Sequence, residues 1–436
     1  MNTYQKRVLS LNSYQREAIG LLSIGTFLEY FDLMLYIHMA VLLNQLFFPK
    51  TDHQTAALIS AFSFCSTYVL RPLGGIIFGY IGDQFGRKIT IVITTFIMAI
   101  SCLTIANLPT YNQIGIAAAW IITVCRVMQG MACMGEAAGA ELYLTETIKP
   151  PLVYPVVALI VIFASIGTTV SLGVASLVTS YNFDWRFAFW AGAIVALIGT
   201  VARTTLRETP DFADAKRRIS NIIKQSNENV DLEPKIFHKE EVKIKTFLAL
   251  FFIQCLWPVC LYFAYIYCGD LLKNSFHFTP EQVIHQNFIV SCFQLISYLF
   301  LVYFSYKFYP LNILKIKLVI FSILALISPY LLNIINSSFE LLLLQSLIVI
   351  FVPTDFPSAP IFYTHFPVFK RFTCVCLTYG LARAFMAIIA SFGLSSLVIN
   401  FGYYGILIIM IPIIFGYTFG LFHFEKLEKI SGNHPK

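Results

Sequence analysis

Long apolar runs, separated by short polar stretches, make up most of this 436-residue chain. Six runs lie within residues 18–203, and six more lie within residues 246–424. A helix needs about 20 mainly apolar residues to cross the ~30 Å hydrocarbon layer of a bilayer. The pattern therefore predicts an all-α polytopic membrane protein with twelve transmembrane helices.

One long polar stretch, residues 207–245, separates the two sets of runs. Eight acidic and ten basic side chains lie between Arg203 and Lys245, so we interpret the stretch as a solvated, partly helical connector rather than a small soluble domain. The predicted domains are an N-terminal six-helix bundle (1–206), a cytoplasmic connector (207–245) and a C-terminal six-helix bundle (246–436). Two pseudo-symmetric bundles of this kind are typical of secondary transporters, whose substrates bind near the midplane.

Composition and charge support a membrane location. Hydrophobic residues make up 58% of the chain and charged residues 12%, which is far more apolar than a soluble domain. Of the 30 Lys and Arg residues, 24 fall on one side of the predicted topology, three on the other and three inside it. The positive-inside rule then makes the basic side, with both termini, cytoplasmic. The net charge of +7 reflects this topology, and we expect no nucleic-acid partner.

The ten cysteines lie almost wholly inside the apolar runs. This placement favours small hydrophobic packing residues over a disulfide framework or a metal site. We expect no metal and no cofactor, and a monomer whose partners are lipid and a small-molecule substrate.

Charged residues within the first set of runs are the strongest functional candidates. Arg71, Arg126, Glu29 and Asp32 all lie near mid-membrane depth, where a charge is costly and usually serves function. In one interpretation, Asp32 or Glu29 binds and releases a proton as its partner Arg126 is freed by substrate. In the other, the four charges form a static ion-pair cluster.

The second half contributes one deep cation, Arg383. A guanidinium can hold a substrate carboxylate with two hydrogen bonds, although an ion pair with Asp355 is the alternative. Arg71, Tyr30 and Glu136 complete the candidate substrate site. Glu136 and Glu141 are also candidate gate residues, because they lie toward the inner end of the fourth apolar run, which carries Arg126.

Several motifs together resemble the metabolite:proton symporter family of the major facilitator superfamily, which includes proline/betaine, α-ketoglutarate, citrate and shikimate transporters. They are Gly25-Thr-Phe-Leu-Glu-Tyr-Phe-Asp32, Arg71-Pro-Leu-Gly-Gly75, Gly79-Tyr-Ile-Gly-Asp-Gln-Phe-Gly-Arg-Lys88, Arg126-Val-Met-Gln-Gly130 with Gly135-Glu136, Trp185-Arg186 and Arg207-Glu-Thr-Pro210.

The resemblance implies proton-driven uptake of a small organic acid or zwitterion by alternating access, across a bacterial inner membrane. It also implies a cytoplasmic latch formed by Gly79, Asp83, Gly86, Arg87 and Lys88. We expect Asp83 to approach the positively polarised N-terminus of a neighbouring helix.

The second half departs from the family pattern. The loop after segment eight reads Tyr306-Lys-Phe-Tyr-Pro310, without the family's Gly and Asp, so we expect the inner side to be latched from one half only. Proton-coupled efflux and a non-transporting membrane sensor remain alternative functions. An enzyme is not expected, because the chain has no D-D-x-x-D, H-E-x-x-H or G-K-[ST] motif.

Overall fold

The computed structural model describes residues 10–48, 68–181, 184–225 and 241–433. Within these ranges the chain is helical and contains no β-strand. Among the described residues, ten helical stretches are long and apolar enough to cross a membrane. Residues 55–67, where the second apolar run begins, and residues 226–240 of the connector lie outside the described residues.

The described part of the first half includes six long helices, in the order predicted, and the one-turn helix Tyr111–Ile114. The six long helices are α1 (Ser13–Phe47), α2 (Arg71–Gln84), α3 (Arg87–Asn107), α4 (Ile116–Thr147, with a π-helical turn at Met134–Ala138), α5 (Val153–Tyr181) and α6 (Arg186–Arg203). Helix α7 (Pro210–Gln225) follows in the connector and confirms that this stretch is partly helical.

The second half repeats the six-segment plan. Its helices are α8 (Ile244–Phe276), α9 (Pro280–Lys307), α10 (Pro310–Ile334), α11 (Ser338–Phe351), α12 (Ala359–Thr364), α13 (Val368–Ile388) and α14 (Gly405–Ile430). Helices α11 and α12 together form the tenth predicted segment, residues 339–362. The π-helical turn Ile389–Gly393 and the helix Leu394–Phe401 continue segment eleven beyond α13.

Capping boxes in the local sequence determine where two of the helices begin. Thr279 and Gln282 form a capping box at the start of α9, and Ser337 and Glu340 form another at α11. Each box satisfies backbone N–H groups that the first turn leaves without a partner. Polar caps therefore mark the points at which the chain re-enters the apolar layer.

The two halves meet along two seams, α2 against α13 and α5 against α9. At the first seam the backbones are very close, because a Cβ on Gly75 would lie 2.8 Å from the Cys376 carbonyl oxygen. A Cβ on Gly380 would lie 2.9 Å from the Arg71 carbonyl oxygen. Glycine at both positions lets the helices approach to this distance.

Both described ends of the chain lie at the same face of the molecule as residues 82–88. Gln15, near the start of α1, donates to the Thr147 carbonyl oxygen at the end of α4 (3.0 Å). Tyr309, before α10, donates to Glu428 near the end of α14 (2.9 Å) and packs edge to face against Tyr154. We call this the latch face.

Candidate functional site

Two neighbouring cavities lie between the halves. The larger, of about 780 Å³, is bordered by α1, α4 and α5 of the first half and by α8, α9 and α13 of the second. The smaller, of about 520 Å³, shares five residues with it. The shared residues are Tyr30, Met34, Trp257, Leu261 and Arg383. Both cavities lie between helices of the two halves, a common place for small-molecule sites in helical proteins.

Arg383 occupies the wall between these cavities. Its guanidinium donates to the Tyr379 hydroxyl (3.3 Å) and lies 4.6 Å from the centre of that ring. The ion pairs formed among the described residues include none between Arg383 and Asp355, although both side chains line the larger cavity. Arg383 is therefore held by an aromatic residue while it faces the cavity.

Glu29 and Arg71 line the smaller cavity. Glu29 Oε1 contacts the Cys133 thiol, while Glu29 Oε2 has no hydrogen-bond partner in the described part of the chain. The Arg71 guanidinium lies 4.5 Å from the centre of the Tyr68 ring. The smaller cavity is thus lined by one carboxylate, Glu29, and by two arginines, Arg71 and Arg383.

Asp32 and Arg126 form an ion pair behind the cavities. Arg126 Nη1 lies 3.5 Å from Asp32 Oδ2 and 2.9 Å from Gln129 Oε1, and its guanidinium stacks 3.8 Å from the Tyr36 ring centre. The Cys102 thiol also donates to Asp32 (3.2 Å). Both charged residues are buried, and neither lines the two cavities.

Glu136 lies away from the cavities, in a buried cluster with Arg203 of α6. The Arg203 guanidinium is paired with Glu136 and donates to Thr95, and its Nε donates to the Leu21 carbonyl oxygen of α1 (3.2 Å). Arg203, which the sequence places at the edge of the connector, is fully buried. The cluster ties α1, α3, α4 and α6 together.

Glu141 links the two halves beneath the larger cavity. The Tyr363 hydroxyl of α12 donates to Glu141 Oε2 at 2.6 Å, and both residues are buried. Glu141 and Asp355 line the same cavity from opposite halves. Within the described residues, neither carboxylate has a cation within 4.0 Å that forms an ion pair.

At the latch face, Asp83 connects α2 to α13. It accepts hydrogen bonds from the backbone N–H groups of Phe372 (3.0 Å) and Thr373 (2.9 Å), near the N-terminus of α13. These two donors are the fifth and sixth residues of α13, so Asp83 lies beside the first turns of that helix. Gly79 permits the approach, because its Cβ would lie 2.6 Å from Thr373 Cα.

Arg87 lies at the centre of a polar cluster on the latch face. Its Nε and Nη2 donate to the two carboxylate oxygens of Glu146, each at 3.0 Å, in the two-point geometry that makes such pairs strong. Nη2 also donates to the Val368 carbonyl oxygen of the other half (2.6 Å). Arg371 donates to the same Glu146 (3.0 Å) and pairs with Asp211 of α7 (3.2 Å).

Gly86 adopts a φ of 117°, in the region that favours glycine. The carboxylate of Glu208 fills the space beside it and accepts from the backbone N–H groups of Arg87 (2.9 Å) and Lys88 (3.4 Å). Glu208 therefore caps α3 and binds the start of the connector to the latch.

A different polar cluster lies near the loop after α9, where the sequence lacks the Gly and Asp of the motif in the first half. Glu428 accepts from Tyr309 (2.9 Å) and contacts His365 Nε2 (2.9 Å). It joins the loop before α10, the end of α12 and the end of α14. The second half therefore carries its own polar cluster at the latch face, with a ring contact from Tyr309 to Tyr154 as its link to the first half.

The predicted site residues thus separate into three groups. The cavities bring together Tyr30, Glu29, Arg71 and Arg383, while Asp32 with Arg126 and Glu136 with Arg203 are buried pairs behind them. The latch residues lie together at one face. The latch face also holds four charged residues that the sequence did not predict there: Glu146, Glu208, Arg371 and Asp211. Of these, Glu208 belongs to the motif Arg207-Glu-Thr-Pro210.

Comparison with known proteins identifies the family. The sequence model of the Major Facilitator Superfamily matches residues 22–370. The chain is similar to the proline/betaine transporter of Escherichia coli K12, with 29% identity over 279 residues, 61% of this chain and 54% of that protein. It is also similar to the inner membrane metabolite transport protein YhjE of E. coli K12 (33% over 231 residues, 50% and 51%). The matches span about half the length of these relatives.

Solved structures show the same fold. The proton:xylose symporter XylE bound to 6-bromo-6-deoxy-D-glucose superposes with a TM-score of 0.75 at 16% identity, covering 95% of this chain and 96% of that one. The human organic anion transporter MFSD10 gives a TM-score of 0.68 at 14% identity, with coverage of 95% and 100%. This multi-pass membrane chain therefore belongs to the major facilitator superfamily, a family of transporters and not of enzymes.

Proposed function

We propose that this protein is a proton-coupled symporter that takes up a small carboxylate-bearing solute, with a zwitterion such as proline or betaine as the preferred substrate. The observation that carries the proposal is the larger cavity between the halves, which places Arg383 in one space with Asp355 and Glu141. A zwitterion presents a carboxylate to the arginine and a cationic group to the acids.

The cavity walls suit both ends of such a solute. Arg383 can hold a carboxylate with two hydrogen bonds, and Tyr379 orients its guanidinium. Trp257, Tyr265 and Tyr298 line the larger cavity, and aromatic faces attract a desolvated ammonium group. A dicarboxylate is the second candidate, because Arg71 adds another cation in the smaller cavity.

Proton coupling is assigned to Asp32 with Arg126 and to Glu29. An ionised Asp32 pairs with Arg126, and protonation of Asp32 releases that arginine. Glu29 lies three residues before Asp32, on roughly the same helix face, and lines the smaller cavity, so it connects the buried pair to bound substrate. The alternative of a static ion-pair cluster predicts no change in proton movement when Asp32 is neutralised.

Alternating access is assigned to the latch. Contacts from Asp83, Gly79 and Arg87 to α13 are made while the latch face is closed, and they must break when it opens. We further propose that the latch face is cytoplasmic in a bacterial inner membrane, with both termini on that side and a monomer as the working unit. The excess of Lys and Arg on this side supports the orientation.

Uptake into proteoliposomes with an inward-directed proton gradient tests the proposal. Radiolabelled proline, betaine, α-ketoglutarate, citrate and shikimate are compared, and we expect a zwitterion to accumulate. Asp355→Asn should weaken uptake of the zwitterion more than uptake of a dicarboxylate, whereas Arg383→Gln should weaken both. Accumulation only in inverted vesicles would favour efflux, and accumulation of none of the five would contradict the proposed substrate class.

A further inference from the structure

An apolar groove runs along the outer surface of the second half, between α9, α10 and α11. It spans about 1320 Å³, counting the space open to the outside, and several of its walls are exposed. We call it the α9–α10 groove. Its apolar walls are Phe293, Ile296, Phe300, Leu301, Phe304, Phe308, Ile313, Ile316, Ile350 and Phe351.

Lys317 is the charged side chain that lines this groove. Two other lysines of the same region are engaged, since Lys307 donates to Tyr303 and Lys315 pairs with Glu425 (2.8 Å). Among the described residues, by contrast, no carboxylate lies within 4.0 Å of the Lys317 ammonium group. The groove thus combines apolar walls with one uncompensated positive charge.

From its place on α10, the long side chain of Lys317 can reach toward the phosphate layer of the bilayer. It lies seven residues after Pro310, the first residue of α10, or about 10 Å along the helix at 1.5 Å per residue. Side chains on a helix tilt toward its N-terminus, which for α10 lies at the latch face. The lysine stem therefore leads from the apolar groove toward the headgroups of that leaflet, as snorkelling lysines do.

We propose that the α9–α10 groove binds one anionic glycerophospholipid from the leaflet at the latch face. An acyl chain lies along the phenylalanine walls, and the phosphate pairs with the Lys317 ammonium group. Charge complementarity favours this occupant, because a lipid with a choline headgroup carries its own cation beside the phosphate. A lipid supplies both an apolar chain and a negative charge in one molecule, which matches the two features of the groove.

Native mass spectrometry of the full-length protein, purified in detergent with equal amounts of phosphatidylglycerol and phosphatidylcholine, tests this site. We expect wild-type protein to retain phosphatidylglycerol about fivefold over phosphatidylcholine, which corresponds to about 1 kcal/mol for one lysine near the surface. Lys317→Gln should abolish the preference. Lys315→Gln, which removes a lysine already paired with Glu425, should leave it unchanged.

A second variant probes the groove itself. Ile296→Trp places a large ring on an exposed wall without changing charge, and it should reduce retention of both lipids. Equal retention of the two lipids by the wild-type protein would overturn the proposal. So would an equal effect of Lys315→Gln and Lys317→Gln, or a dimer that Ile296→Trp disrupts in the absence of lipid.

Discussion

Replacing Asp83 with asparagine should open the latch face. In the closed state the Asp83 carboxylate accepts two backbone hydrogen bonds, from Phe372 (3.0 Å) and Thr373 (2.9 Å). Both donors belong to the other half of the molecule, so opening must break both bonds. The residue therefore stabilises the closed state relative to the open one.

The size of the effect follows from these two bonds. Hydrogen bonds to a charged group contribute about 1.5–3 kcal/mol each. Asparagine keeps one acceptor oxygen but turns an N–H group toward the other donor, so about one such bond is lost. At 1.4 kcal/mol for each tenfold change, the open-to-closed ratio should rise about ten- to a hundredfold.

Distance measurements between two spin labels can detect this change. Phe85→Cys and Lys307→Cys place labels at exposed positions of the latch face, one in each half. The nine cysteines in the described part of the chain are buried or partly buried, which limits background labelling. We expect a longer distance to gain population in Asp83→Asn.

Gln84→Asn, a conservative change at the adjacent position, is the matched control and should keep the wild-type distances. An open population in Asp83→Asn within threefold of the wild-type value would refute the reasoning. The backbone hydrogen bonds of Asp83 would then contribute too little to hold the two halves together.

Two further predictions concern packing. Glu136→Gln leaves the Arg203 charge buried without its partner, so the free energy of unfolding should fall by about 3–5 kcal/mol, seen as a lower Tm in detergent. Asp184→Asn, at an exposed ion pair, should change the Tm little, and an equal effect of both variants would contradict the prediction. Gly380→Val should force α2 from α13 and raise the open population between the spin labels, whereas Gly173→Val, where a Cβ meets nothing within 4 Å, should not.

The helix plan could be predicted from the sequence because each transmembrane helix is encoded locally. About 20 apolar residues specify a span, and Pro, Asn or a capping box marks its end. Helix α3, for example, ends at Asn107, just before Pro109, and α9 begins at a capping box. The latch motif was readable for the same reason, since Gly79 to Lys88 is one continuous stretch.

The partners of buried charges could not be predicted, because they depend on helix rotation and on contacts between distant segments. Depth alone grouped Glu29 and Asp32 with two arginines, whereas Asp32 pairs with Arg126 and Glu29 faces a cavity. Arg203 is 67 residues from Glu136 in the chain, yet it is paired with it in the fold.

The partners of Arg87 at the latch face could not be predicted for the same reason. Its carboxylate Glu146 comes from the end of α4, and its second arginine, Arg371, comes from α13 of the other half. No spacing rule links these residues to Arg87. Their signal in the sequence is weak: Glu146 lies just before Pro150, and Arg371 lies at the start of an apolar run.

Substrate-driven proton movement is the most direct test of the proposed coupling. Proteoliposomes containing the protein and a pH-sensitive dye are given betaine or proline, without an imposed pH gradient, and internal pH is followed. The account predicts internal acidification on solute addition with wild-type protein and its loss in Asp32→Asn, while solute binding persists. Accumulation of solute without proton influx, or an unchanged influx in Asp32→Asn, would contradict it.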